Sequence, residues 1–90
     1  MVALYSLARR SMILVNNIRR HPSGWWCHMV SDRSVEELYA FATEVGLRWE
    51  WFQRGSRPHY DLRPSTRRLA VAKGAERVNA RVLVRRMARA

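Results

Sequence analysis

The clearest hydrophobic pattern lies between residues 34 and 46, where apolar side chains recur at helical spacing. Ser34 and Glu37 form a capping-box motif, in which the serine hydroxyl accepts from the Glu37 amide and the glutamate reaches back. Gly46 stands where a left-handed residue commonly ends a helix. The pattern therefore predicts a helix with a buried face made of Val35, Leu38, Tyr39, Ala42 and Val45.

Short apolar runs on both sides of this helix predict strands. Residues 12–15 have the composition of a buried strand that ends at Asn16 and Asn17. Residues 25–30 predict a second strand, whose alternation turns Trp26, His28 and Val30 to one face. Residues 47–52 also alternate, which predicts a third, half-buried strand with Leu47, Trp49 and Trp51 directed inward.

The second half of the chain repeats this mixture of strands and helices. A basic Gly-Ser loop precedes a short extended segment at residues 59–62, and Pro64 predicts the first turn of a second helix. Residues 76–78 predict a short strand, and Asn79 is a suitable cap for a last helix. We therefore expect one α/β sandwich domain over residues 12–90, with a short mixed sheet and about three helices. We expect residues 1–11 to be an N-terminal extension, and the sequence leaves open whether this extension is ordered or disordered.

Charge is the strongest compositional signal, since the 90 residues carry a formal net charge of +10. Lys73 is the one lysine among seventeen basic residues, and the others are arginine, which pairs well with phosphates and carboxylates. The acidic residues concentrate in residues 32–50, so both ends of the chain are positive. This distribution favours nucleic acid, nucleotides, an anionic membrane or an acidic protein as the partner.

Cysteine content and hydropathy bear on the cellular compartment of the protein. Cys27 is the only cysteine, which excludes an intrachain disulfide and favours a reducing cytoplasm. No apolar run reaches the length of a transmembrane helix. The oligomeric state is left open by the sequence.

Four polar side chains are the candidates for catalysis. His59 and Asp61 lie two positions apart on an extended segment and therefore share a face. His28 lies near the end of another predicted strand, with Asp32 just beyond it. Two imidazoles and a carboxylate suit general acid–base chemistry, a bound metal, or a purely structural hydrogen-bond network. Their spacing matches no strong metal signature, so we expect no resident metal and no other cofactor.

A basic group surrounds the extended segment that carries His59. Arg54 and Arg57 lie on the preceding loop, and Arg67 and Arg68 lie in the first turns of the following helix. Arginines beside a helix N-terminus favour a phosphate group, although a solvated basic face is the alternative. We predict ligand contacts from Asn16, Asn17, Gln53, Arg54, Arg57, Tyr60, Arg67 and Arg68.

A series of short motifs also points to a family. These motifs are Trp26-Cys-His28, Val45-Gly-Leu47, Trp51-Phe-Gln53, His59-Tyr-Asp-Leu62, Pro64-Ser65 and Gly74-Ala75. Over about residues 12–87 they resemble a small bacterial and phage family known as domain of unknown function 4031. The resemblance implies no activity. The family pattern ends its first strand with Val-Asp-Asp, whereas this chain has Val15-Asn16-Asn17, so amides replace two carboxylates and weaken the case for a divalent metal.

These observations favour a domain that binds, or acts on, a phosphate-containing ligand such as nucleic acid or a nucleotide. The His/Asp pocket would provide polar recognition or proton transfer, and the arginines would hold phosphate. A metal-dependent hydrolase or nuclease is one alternative. The other is a non-enzymatic bacterial or phage accessory protein that docks on an acidic partner. Whether the protein is an enzyme is left open.

Overall fold

The computed structural model describes residues 13–55 and 57–88, which form three α-helices and a five-stranded mixed sheet. The strands are β1 (Ile13–Val15), β2 (Arg19–His21), β3 (Gly24–Ser31), β4 (Tyr60–Leu62) and β5 (Glu76–Arg77). The helices are α1 (Val35–Val45), α2 (Pro64–Ala72) and α3 (Ala80–Met87). The predicted α/β class is confirmed. The expected extension at residues 1–11 lies outside the described residues, and the assignment of residues 12–90 to one domain stays a prediction.

Strand β3 organises the sheet, because three other strands pair with it. β1 and β2 run antiparallel to β3, and β4 also pairs with β3 in antiparallel register. β5 adds to β1 in parallel. The hairpin between β2 and β3 turns through two residues, and Gly24 begins β3 with φ of 130°, a conformation that favours glycine.

The chain between β1 and β2 forms a β-bulge opposite β3. Val15 lies opposite Met29 and Arg19 lies opposite Trp26, so the three residues from Asn16 to Ile18 face two residues of β3. Asn16 preserves the ladder at this point: its backbone amide donates to the His28 carbonyl at 3.2 Å, and its side-chain Oδ1 accepts from the His28 amide at 2.7 Å. The bulge therefore fixes the backbone of His28 with both main-chain and side-chain contacts.

The two faces of the sheet are covered unequally. One face packs against α1 and α2 in the larger core, which contains Ile13, Val15, Cys27, Met29, Leu38, Ala42, Val45, Tyr60, Leu62, Ala70 and Ala75. The other face has a smaller cluster, in which Leu14 and Val30 are buried beneath Leu83 of α3. Because α3 is eight residues long, it leaves the His28 end of this face open to solvent.

The ends of α1 and α3 follow the predicted capping. Ser34 Oγ accepts from the Glu37 amide at 3.1 Å, and Gly46 has φ of 91° in the left-handed region. Asn79 Oδ1 accepts from the Val82 amide at 2.9 Å and begins α3. None of the helices in the described ranges combines the length and the apolar composition needed to cross a bilayer.

The strand predicted at residues 47–52 is wrong. Trp49–Trp51 form a 3₁₀ turn, in which the Trp51 amide donates to the Arg48 carbonyl and the Phe52 amide to the Trp49 carbonyl, each at 3.1 Å. Trp49 is 77% exposed and Trp51 is 50% exposed, so neither belongs to the core. These i→i+3 bonds satisfy the backbone locally, and apolar alternation alone cannot distinguish such a turn from a strand.

Candidate functional site

Two histidines and one aspartate converge on the open face of the sheet. His28 of β3 lies directly opposite Asp61 of β4, and His59 precedes Asp61 by two positions and shares its face. His28 Nε2 and His59 Nε2 each lie 3.4 Å from the same oxygen, Asp61 Oδ1. The two imidazole rings meet edge to face with centroids 4.7 Å apart. We call these three residues the His–Asp cluster.

The backbone determines which nitrogen of His59 faces the aspartate. His59 Nδ1 lies 2.8 Å from the carbonyl oxygen of Arg57, and a carbonyl can only accept a hydrogen bond. We therefore assign a proton to Nδ1, so that Nε2 is the nitrogen that faces Asp61. The antiparallel bridge between Gln53 and His59 holds this backbone in place.

The environment of His28 favours the neutral imidazole. Partial burial and the positive charge of a protonated His59 lower the pKa of His28, and the Asp61 carboxylate offsets only part of this effect. The side chain is still 53% exposed. At neutral pH, His28 can therefore accept a proton or bind a cation from solvent without first losing a proton.

Asp32 does not join the cluster. Its Oδ2 accepts from Arg86 Nε at 2.9 Å and from Arg86 Nη2 at 2.5 Å, and Arg86 Nη1 also lies 3.5 Å from Glu76. The cause is its position just beyond the end of β3, which places Asp32 beside α3. Asp32 thus forms an ion pair with Arg86 that holds α3 against the sheet. Its position outside the cluster gives no support to the predicted catalytic role.

Two adjoining clefts open at the cluster. The histidine cleft has a volume of about 470 Å³ and is lined by Asn16, Asn17, Arg19, Arg20, His21, Ser23, Trp26, Cys27, His28, His59 and Asp61. The helix cleft has a volume of about 500 Å³ and is lined by Asn16, Arg19, His28, Val30, Arg54, Gly55, Arg57, His59, Ala80, Leu83, Val84 and Met87. Because they share Asn16, Arg19, His28 and His59, a ligand at the cluster can extend into either one.

Four of the predicted ligand contacts line these clefts. Asn17 lines the histidine cleft, and Arg54 and Arg57 line the helix cleft. Asn16 lines both but is 6% exposed, and its side chain is already bonded to the His28 amide. Asn16 therefore positions His28, and the other three are the residues available to a ligand.

The remaining predicted contacts lie elsewhere. Tyr60 is buried in the larger core against Phe52, on the opposite face of the sheet from the cluster. Arg67 Nε donates to the Asn16 carbonyl at 2.8 Å, so this guanidinium supports the bulge. Arg68 is exposed, and neither Arg67 nor Arg68 lines either cleft. The helix carrying both arginines covers the larger core, which separates them from the cluster.

Gln53 contributes to a third cleft beside the cluster. This aromatic cleft has a volume of about 460 Å³ and is lined by Trp26, Leu47, Glu50, Trp51, Gln53, Asp61, Arg63 and Thr66. The guanidinium of Arg63 lies 4.0 Å from the centre of the Trp26 ring, a cation–π contact. Asp61 lines both this cleft and the histidine cleft, so the two are neighbours.

Arg19, Arg20 and His21 also line the histidine cleft, although the sequence pattern indicated only a turn there. They form β2, and the register that pairs Arg19 with Trp26 places Arg19 on the same face as His28. The signal available in the sequence was the Pro-Ser-Gly turn, since a two-residue hairpin loop would have predicted this register.

Cys27 is not part of the reactive chemistry. It is 3% exposed, and burial raises the pKa of its thiol to about 11 even though the Arg67 guanidinium opposes this effect. A thiol with this pKa contains very little thiolate at neutral pH. Cys27 therefore acts as a small apolar residue of the core.

The fold and the site define a small α/β domain with two histidines and a carboxylate beside arginine-lined clefts. The chain belongs to the family described as "Protein of unknown function (DUF4031)", whose model matches residues 13–90. The resemblance seen in the sequence is confirmed, and the family description states no activity. Comparison with curated proteins and with solved structures found no match.

Proposed function

We propose that the protein binds a phosphate-containing ligand, a nucleotide or nucleic acid, at the His–Asp cluster. The observation that carries this proposal is the ring of arginines around the cluster. Arg19 lines both clefts, Arg20 lines the histidine cleft, and Arg54 and Arg57 line the helix cleft. Guanidinium groups bind phosphate oxygens in bidentate geometry, and four of them around one site favour an anionic ligand.

The aromatic cleft supports a ligand that also carries a base. Trp51 is half exposed at this cleft, and Trp26 presents a ring on which Arg63 already stacks. Nucleobases stack on exposed tryptophan rings with little dependence on sequence. Because Asp61 is common to both clefts, a base beside Trp51 and a phosphate beside Arg19 suit one extended ligand.

The test measures binding of a fluorescently labelled single-stranded oligonucleotide and of a labelled nucleotide by fluorescence anisotropy. His59→Ala removes a residue of both clefts, whereas Arg85→Ala removes an exposed charge of α3 that lines neither. We expect His59→Ala to weaken binding and Arg85→Ala to leave it close to wild type. The reverse result would favour docking of an acidic partner on the basic face, the accessory role considered from the sequence.

A hydrolase or nuclease is the second candidate, and the His–Asp cluster favours it. A neutral imidazole beside a carboxylate is a suitable general base for activating water toward a phosphate ester. Incubation of a labelled phosphodiester with the protein, with and without a chelator, tests for cleavage and for its dependence on metal. Absence of product in both arms would leave a binding function alone.

The cellular setting belongs to the same proposal. The single, buried Cys27 is compatible with a reducing compartment, and we propose the cytoplasm of a bacterium or of a phage-infected cell. Fractionation of cells that express a tagged protein would test the compartment.

A further inference from the structure

We propose that the His–Asp cluster binds one divalent transition-metal ion, with His28 Nε2, His59 Nε2 and Asp61 Oδ1 as its protein ligands. This inference goes beyond phosphate binding and does not depend on it. It also revises the expectation, drawn from sequence spacing, that the protein has no resident metal. The spacing along the chain was uninformative because His28 lies on β3, whereas the other two ligands lie on or just before the paired strand β4.

Two of the distances within the cluster match those between neighbouring ligands of a metal site. Zinc–ligand bonds of about 2.0–2.2 Å at tetrahedral angles place neighbouring ligand atoms about 3.4 Å apart. The distances from Asp61 Oδ1 to His28 Nε2 and to His59 Nε2 are both 3.4 Å. One ligand atom from each of the three residues lies within 4.8 Å of the other two, so small rotations of the rings complete the site.

The ligands are held by regular structure and by hydrogen bonds outside the cluster. His28 and Asp61 are paired residues of adjacent strands, and the Asn16 side chain anchors the His28 amide. The Arg57 carbonyl holds His59 Nδ1, which directs Nε2 toward the proposed ion. Metal-binding histidines commonly donate their second ring proton to a backbone carbonyl in this way, which fixes both the tautomer and the ring orientation.

The ligand set also indicates the class of metal. Imidazole nitrogen suits zinc, iron, copper and nickel, whereas calcium and magnesium prefer sites made of oxygen ligands. Three protein ligands leave at least one coordination position for water or substrate. With His28 53% exposed and Asp61 38% exposed, that position is accessible from the clefts. The arginines of the clefts then favour an anion as the additional ligand.

The alternative is a hydrogen-bonded His–Asp–His network without metal. Such a network at this degree of exposure would contribute little to stability, because solvent screens the pair. In such a network each Nε2 would have to donate a proton to Asp61 Oδ1. Because His59 Nδ1 already donates to the Arg57 carbonyl, His59 could take part only as an imidazolium. A metal ion instead binds the lone pair of Nε2 and needs no proton there.

The experiment titrates chelator-treated protein with Zn²⁺ by isothermal calorimetry and with Co²⁺ by visible absorption, in buffer free of phosphate and nucleotides. We expect one ion per chain, Co²⁺ ligand-field bands typical of four or five ligands, and a higher Tm with Zn²⁺. His28→Ala, His59→Ala and Asp61→Asn should each weaken binding more than about a hundredfold, because loss of an outer-shell partner alone commonly costs 10–100-fold.

Two variants serve as controls. Asp32→Asn is the matched control for Asp61→Asn, because Asp32 is bound to Arg86 outside the cluster. Glu44→Gln changes an exposed carboxylate of α1 and serves if Asp32→Asn reduces folding. Circular dichroism checks that each protein is folded.

Substoichiometric binding to the wild type would overturn the metal proposal, as would wild-type metal affinity in all three cluster variants. Because no phosphate is present, either result would leave the proposal of phosphate binding unaffected. If the wild type binds metal but fails to bind the oligonucleotide and the nucleotide, the phosphate proposal is overturned and the metal proposal stands.

Discussion

Asn16 connects the backbone of the sheet with the chemistry of the site. Its side chain replaces the carbonyl that a regular strand would offer to the His28 amide, and its own carbonyl accepts from Arg67. Asn16 and Asn17 both line the histidine cleft, although consecutive residues of a regular strand face opposite ways. The bulge thus brings two neighbouring polar residues to the same side.

Asn16→Ala should lower the free energy of unfolding by about 1–3 kcal/mol, because it leaves the partly buried His28 amide without its acceptor. Asn16→Asp keeps an acceptor at this point, so we expect a smaller loss. Urea unfolding monitored by circular dichroism measures both. Equal stability of Asn16→Ala and wild type would show that the side-chain bond contributes nothing.

At the residue scale, the sequence predicted contacts that depend on strand alternation and failed for contacts between distant elements. His59 and Asp61 share a face as expected, because a period of two determines it. Asp32 and Arg86 are 54 positions apart, and Arg67 is 51 positions from Asn16. No local pattern indicates such pairs, since they depend on how α2 and α3 pack on the sheet.

The 3₁₀ turn at Trp49–Trp51 is the element that differs most from expectation. It presents two large aromatic side chains to solvent, while Phe52 packs between Tyr39 and Tyr60. An exposed tryptophan side chain adds little to the core. The exposure of Trp51 beside the aromatic cleft therefore favours a role in ligand binding. Trp51 lines that cleft and Trp49 does not.

We expect Trp51→Ala to weaken oligonucleotide binding by about 1–3 kcal/mol, the contribution of one base stacked on an aromatic ring. Trp49→Ala is the matched control, since Trp49 is more exposed and lies outside the cleft. Anisotropy titrations with both variants, together with quenching of tryptophan fluorescence, measure the difference. Equal losses in the two variants would assign the effect to the turn as a whole.

Helices whose ends are marked by capping residues could be predicted from the sequence. Strands that form only because another strand pairs with them were harder to predict. The capping of α1 by Ser34 and Gly46 is encoded within the helix itself. By contrast, β2 is a strand because β3 lies beside it, and its three residues are all exposed. An exposed Arg-Arg-His segment has no apolar alternation, so its strand state could not be read from hydropathy.

At the scale of the whole molecule, positive charge and an open sheet face occur together. The net charge is +10, and the arginines that line the clefts lie on β2 and on the segment preceding β4. The core lies mainly on the opposite face, beneath α1 and α2. The molecule therefore separates a stabilising face from a face available to ligands.

Binding of single-stranded nucleic acid should weaken with salt, because each phosphate neutralised by the protein releases counterions. We expect Arg19→Ala to reduce the magnitude of the slope of log K against log salt by about 0.7, the value for one phosphate contact on a single strand. Lys73→Ala is the control, since Lys73 is exposed and lines neither the histidine cleft nor the helix cleft. An unchanged slope in Arg19→Ala would exclude Arg19 as a phosphate contact.

The bulge has a further consequence for how the site can vary. The extra residue is accommodated between two stretches of regular pairing, Ile13–Val15 and Arg19–His21, each of which keeps its own register with β3. Loss of one codon at Asn17 would leave both stretches opposite their present partners. The polar residues that line the site can therefore change through deletion of one residue, as well as through substitution, while β1 and β2 keep their register with β3.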